Sequence, residues 1–506
     1  MGIESFIQNC RQDGVHLKIE NGELRYHAKR GAITEEILTT LKNRKPEILH
    51  FLNHAVDSDS GFQLALTSQD RALLYDRVIW KDYSGRKMDA GANLCHIVIR
   101  NTGEIRTDAF VKSITALLDR YKVLSSAIEM SGGNLYFVHR PKQAPAFQEI
   151  VVEGDTIESR EHEAMRVAND LVWKEYDLDT GPLYRVFLIR FSETDYILGA
   201  GIHHAIGDGI SIGIFFNELT ILYHSIVSNI PSPLFPARFQ FMDYLSSMET
   251  WLASSTAVGH LHYWTDFLKS TPMTNLLPSD RLSKACSIPG VGAKEMIELD
   301  AVVAHDLKKI ASKLKTTLFT ILLAIHKVAI WRMTAQEELV IVVVHAGRIN
   351  VDIQTMIGNF ASETGYKTSL AGNPSFTEII ERIKLTMIEA ALHQPVPFDW
   401  IRRQLLSEGV TFSAPTMGFQ PGNADDTRNS GPRSLRFQLP SAVSDFPGTY
   451  GIHFHEGSKG IEGEMMYRKD LYEESTVHAF MNHFRETVMD VISDPEKKLH
   501  DFLGSD

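Results

Sequence analysis

The chain has 506 residues, 43% of them apolar and 23% charged, which excludes a disordered or collagen-like polymer. It is longer than one hydrophobic core supports, so at least two large lobes are expected. A net charge of −12 argues against a nucleic-acid-coating surface. Three scattered cysteines, Cys10, Cys95 and Cys286, are too few for a disulfide framework and fit a reducing cytoplasm.

The first 55 residues read as a small head. His16–Ile19 and Glu23–Tyr26 alternate apolar with polar, the strand period, and Asn21-Gly22 between them is a hairpin signal. A helix follows from Ile33 to Leu38 with Thr34 as its N-cap, and a second opens at Pro46. Eight Lys/Arg against seven Asp/Glu give residues 1–55 a balance of +1, leaving −13 for the rest. Lys18, Arg25, Lys29 and Arg30 on and beside the hairpin are candidate docking cations. They are either a solvated face or the rim of a strand edge that pairs with an acidic tail of another protein. Residues 56–62 are small and polar and read as a linker.

The body alternates strands and helices, which argues an α/β architecture. Expected strands are Cys95–Arg100, Leu183–Phe191, Tyr196–His203 and Leu339–His345. Expected helices are Thr107–Arg120, Ile210–Val227, Ala304–Lys313, Leu318–Met333, Phe376–Leu392 and Tyr472–Val491. Asn423–Ser434 reads as a long polar loop. No membrane span is expected, because the most apolar run, Leu318–Trp331, is shorter than a bilayer needs and reads as a buried helix.

One constellation carries chemistry: His203-His204-Ala205-Ile206-Gly207-Asp208-Gly209. Two imidazoles close a strand, and an acid and a glycine open a helix, so base, acid and helix dipole share a small volume. Adjacent strand residues point to opposite faces, so the two histidines do not chelate one ion together, and no second ligand set accompanies them. No metal is expected.

HHAIGDG resembles the HHxxxDG signature of nonribosomal peptide synthetase condensation domains, relatives of chloramphenicol acetyltransferase. Further matches follow in the family's order. They are Leu66–Arg71, Leu118–Leu124, Tyr176–Leu178 with Gly181–Leu183, Phe241–Tyr244, Gly347-Arg348 with Ile357–Phe360, and His393–Phe398. The head is similar to the β-hairpin docking domains that open some synthetase subunits.

The resemblance implies two chloramphenicol-acetyltransferase-like lobes in a V arrangement, residues 63–235 and 236–506, behind the α+β docking head. It implies acyl transfer from a carrier-protein phosphopantetheine thioester to an amine or hydroxyl, with no cofactor held by this chain. The partners would be an upstream acyl- or peptidyl-carrier protein, met through an acidic C-terminal linear motif, and a small-molecule or carrier-bound acceptor; neither nucleic acid nor membrane is expected. His204 would accept the nucleophile's proton or orient the nucleophile, Asp208 would form a buried pair with Arg348, His203 would be structural, and the Gly209 N–H would help hold the acyl group. With no adenylation or carrier domain before Asp506, a freestanding, monomeric, chain-releasing enzyme is expected. Three departures from the family's pattern, Ile210, Ser125 and Ser362, fit an unusual donor or acceptor such as a polyketide chain or a free small acid. The alternatives are a non-catalytic recruitment module of the same fold and an acyltransferase using free acyl-CoA. Against the latter, only Asp445–Gly448 resembles that family's downstream motif.

Overall fold

The structure is a computed structural model. It describes residues 6, 10, 15–20, 23–28, 33–48, 63–65, 94–131, 134–141, 144–237, 239–269, 277, 278, 280, 292–348, 350–393, 396–410, 414–420, 435–437 and 449–503.

In the head, β1 (Val15–Glu20) and β2 (Glu23–Ala28) pair antiparallel in continuous register, which places Lys18 opposite Arg25. Helix α1 (Glu35–Asn43) begins where expected. The Thr34 hydroxyl accepts from the Ile37 amide at 3.2 Å, and residues 45–48 are helical again. Phe6, Cys10, Val15, Leu41 and Ile48 form a core of the head's own. Arg25 is exposed. Lys29, Arg30, the linker 56–62 and the motif Leu66–Arg71 lie outside the described residues.

The first lobe runs through β3 (Gln63–Ala65), β4 (Leu94–Thr102), α2 (Thr107–Arg120), β5 (Ser126–Ser131), β6 (Asn134–His139), β7 (Phe147–Val151), α3 (Ile157–Trp173), β8 (Tyr184–Arg190), β9 (Asp195–His203) and α4 (Gly209–Val227). Then come α5 (Phe241–Leu252) and α6 (Ser255–Lys269). The second lobe continues with β10 (Gly292–Asp300), α7 (Ala301–Lys313), α8 (Leu318–Thr334), β11 (Glu338–His345), α9 (Val351–Gln354), β12 (Ser362–Ser369), α10 (Phe376–Leu392), α11 (Phe398–Ser407) and β13 (Thr416–Gln420). It ends with β14 (Leu435–Phe437), β15 (Tyr450–Gly457), β16 (Gly460–Arg468) and α12 (Glu474–Ser493).

Each lobe is built on one large sheet. The first has strand order β14-β4-β9-β8-β7 and the second β10-β16-β15-β13-β11-β12, with β3-β6-β5 as a smaller sheet. Helices cover the sheets because strands such as β8 and β11 are apolar on both faces and need cover on both. Helix α4 is long and apolar enough to cross a bilayer, yet it packs Ile212, Phe215, Phe216, Leu219 and Leu222 into the first core. Helix α8 is buried along nearly its whole length, including Lys327, whose ammonium donates to the carbonyls of Leu339 (3.1 Å) and Tyr366 (2.8 Å).

The expected division at 235/236 is not a clean cut. Phe241 and Met242 at the start of α5 belong to the first core, while Trp251 packs against the second. Ile353, Met356, Ile357 and Phe360 leave the second lobe and insert into the first core. Between β13 and β15 the chain crosses over again, and β14 pairs antiparallel with the edge strand β4. Apolar side chains placed beyond 236 thus complete a core begun before it, and a boundary read from linear order misses them.

Candidate active site

Strand β9 delivers the motif. His203 is its last residue, opposite Leu94 on β4, and His204, Ala205 and Ile206 form the turn into α4. His203 is buried. Its Nδ1 accepts from the Ala205 amide at 3.2 Å and its ring meets Tyr176 edge-on, 5.8 Å between centroids. Burial first, and the neighbouring His204 second, push its pKa down to about 3. His203 is therefore a neutral imidazole whose Nδ1 is already used. His204 is half-buried, and the thiol of Cys95 on β4 lies 3.4 Å from its Nε2 and 3.7 Å from its Nδ1.

Asp208 caps α4. Its Oδ1 accepts from the Ser211 amide and the Ser211 hydroxyl, each at 2.8 Å, and from Arg348 Nη2 at 2.8 Å. Its Oδ2 accepts from the Phe360 amide at 3.1 Å. Arg348 follows β11 in the other lobe. It also donates to the carbonyls of Ile353 (2.5 Å) and Met356 (2.7 Å), and its guanidinium lies over the Phe360 ring at 4.5 Å. Both side chains are only 4% exposed, so this ion pair is dry as well as inter-lobe. Gly347 makes it possible: its φ is +64°, and a Cβ there would fall 1.8 Å from the Phe360 carbonyl oxygen. Gly209, the first residue of α4, is exposed, and a Cβ there would meet nothing within 4 Å.

The structure thus brings together His203, His204, Asp208, Gly209 and Arg348, and sets Lys18 and Arg25 apart on the head. Ile210 is 42% exposed, Ser125 is buried, and Ser362 opens β12 opposite His345. Two neighbours of the site carry no strong signal in the sequence. Ser211 has one after the fact: it stands three residues beyond Asp208, the spacing of a capped helix N-terminus, and its hydroxyl oxygen accepts from the Gly358 amide at 3.1 Å. Cys95 has none, being 109 positions from His204. A second inter-lobe tie was also missed. Buried Glu218 on α4 pairs with Arg120 at 2.7 Å, and the Tyr121 hydroxyl shares its one proton between Glu218 at 3.0 Å and the Thr355 carbonyl at 3.1 Å. Among the described residues, the cluster with metal-ligand spacing is Glu295, Glu474 and His478, and neither motif histidine belongs to it.

Comparison with known proteins agrees with this architecture. In solved structures, the chain resembles the teicoplanin X-domain in its complex with OxyB, with a TM-score of 0.72 at 19% identity over 90% of this chain and 98% of that one. It also resembles the condensation domain of chain release from the enacyloxin polyketide synthase, with a TM-score of 0.67 at 17% identity over 98% of this chain and 96% of that one. In sequence it is 27% identical over 410 residues to one of the linear gramicidin synthase proteins of Brevibacillus parabrevis. The match covers 79% of this chain and only 8% of that far longer protein. The TubC N-terminal docking domain model matches residues 3–54. The Condensation domain model matches residues 88–504, and with that span, the bulk of the molecule, the chain belongs to the condensation-domain family.

Proposed function

We propose that this chain transfers an acyl or peptidyl chain from a carrier-protein phosphopantetheine thioester to an amine or hydroxyl, forming an amide or ester and releasing the chain. One observation carries the reading: a complete HHxxxDG sets a half-buried imidazole, His204, at a strand end beside a dry ion pair that joins two lobes. His204 accepts the nucleophile's proton or holds the nucleophile by a hydrogen bond as it attacks the thioester carbonyl, and the thiolate of the carrier's arm departs. A positioned base typically contributes about 10²–10⁴-fold. Asp208 does not orient His204 in this scheme. Its two oxygens already accept from Ser211, Arg348 and Phe360, so its work is to fix the lobes and the start of α4. The Gly209 amide, at the positive end of α4, is placed to stabilise negative charge on the acyl oxygen.

The head supplies the partner, working in the cytosol with an acidic C-terminal motif of the upstream carrier protein. In the ladder Lys18 stands opposite Arg25, which puts two basic residues at one level of the hairpin.

The test is incubation with a loaded carrier protein and a panel of amines and alcohols, read by intact-protein mass spectrometry. Loss of chain transfer in His204→Ala is expected; transfer at the wild-type rate removes His204 from the mechanism. A second reading, a recruitment module without chemistry, draws on the likeness to a domain solved in complex with another protein. Tight carrier binding with an unconsumed thioester across the whole panel favours it.

A further inference from the structure

We propose that Cys95 is a positioning residue for His204: its side chain is a seat against which the imidazole lies, and its size sets the placement of the ring in the cleft. This rests on the reading of His204 as the reacting imidazole. His204 belongs to no strand or helix, because β9 ends at His203 and α4 begins at Gly209. A ring borne on a turn depends on its neighbours for its placement. Cys95, by contrast, is fixed. It stands opposite Ile202 near the start of β4, is 9% exposed, and is packed in the first core with Ala205 and Ile206 of the same turn.

The two distances define the contact. The nitrogens of an imidazole direct their proton or lone pair away from one another. An atom in line with one is therefore far from the other. A sulfur 3.4 Å from Nε2 and 3.7 Å from Nδ1 is in line with neither, so it lies against the ring itself. Such a polarisable contact supports the ring and leaves both nitrogens to other partners. Burial, with the nearby Asp208 carboxylate, raises the pKa of the thiol far above neutrality, so the seat carries no charge at working pH. A serine keeps the shape within a fraction of an ångström, an alanine leaves a gap under the ring, and a valine adds a branch on the side of the turn.

The test uses the full chain with 15N-labelled histidine. The His204 ring signals are identified by their loss in His204→Gln, and tautomer ratio and titration midpoint are followed in Cys95→Ser, Cys95→Ala and Cys95→Val. The serine variant is expected to keep the wild-type signals. In alanine and valine the midpoint is expected to move by at least about 0.3 pH units or the tautomer ratio to change. With the donor and acceptor found in the panel, kcat falls about 10–100-fold in those two variants while KM moves less than about threefold. Unchanged His204 signals in the folded alanine variant overturn the proposal, as does a loss in which kcat and melting temperature fall while KM rises with them. If valine prevents folding, the serine and alanine pair decides alone. The two readings fail separately: a His204→Ala enzyme that still transfers refutes the base, while inert Cys95 variants beside a dead His204→Ala refute only the seat.

Discussion

A methyl group at Gly209 would project into free space, which separates folding from function at that position. Gly209→Ala is expected to be as stable as wild type or more so, by up to about 1 kcal/mol, because alanine favours the helix. Its transfer rate is expected to drop by about tenfold or more if, as proposed, the acyl group occupies that open space. A thermal melt beside the transfer assay reads both, and unimpaired transfer would put the acyl group elsewhere. Asp208 predicts the reverse pattern. Asp208→Asn strands the Arg348 guanidinium at a 4%-exposed position and is expected to cost about 3–5 kcal/mol in urea unfolding. Adding Arg348→Met should recover much of that loss, since the stranded charge is then gone. In His203 the Nδ1 lone pair is taken by the Ala205 amide and burial keeps the ring neutral, so that nitrogen is not free to act as a base.

At the scale of elements, α8 carries a pH signature. Burial lowers the pKa of Lys327 from 10.5 to about 7, and its nitrogen still donates to two strand carbonyls when neutral. Above about pH 7 the unfolded chain holds a proton that the folded chain has released, so stability rises with pH toward 10.5; below about 7 both forms are protonated and the effect vanishes. Unfolding in urea should show a gain of about 2 kcal/mol from pH 7 to pH 8.5, absent in Lys327→Met. The elements themselves were largely legible. Thr107–Arg120 and Phe376–Leu392 form as read, because amphipathic spacing and end signals are local. The Asn-Gly hairpin and the Thr34 cap followed the same local logic. What the sequence hid is contact at a distance. Leu435–Phe437 is three residues beside a polar run, too short for a strand pattern, and becomes a strand only against the ready edge of β4. The aromatic cluster of Phe241, Tyr244 and Phe360 joins α5 to a segment over a hundred positions later. The motif itself was readable as a string; the sulfur beneath its imidazole was not.

On the proposed reading, the molecule as a whole divides recognition from chemistry. The head has its own core, and the HHxxxDG segment lies in the body, where the Asp208–Arg348 pair ties the lobes together. Removing residues 1–55 is expected to raise the KM for the carrier protein and to blunt the salt dependence of carrier binding, with kcat at saturating carrier kept within about threefold. Steady-state kinetics at low and high salt checks this, and unaltered carrier affinity would refute the docking role. The lobes are not separable in that way. Ile353, Met356, Ile357 and Phe360 finish the first core, and β14 finishes the first sheet. This has a consequence during synthesis. A ribosome adding about 5–20 residues per second needs roughly 10–40 s to travel from α5 to β14. Until Phe360 has been made the nascent first half carries an unfilled hydrophobic socket, and until β14 has been made it carries a bare strand edge, so chains truncated within that stretch are expected to aggregate instead of giving a working half.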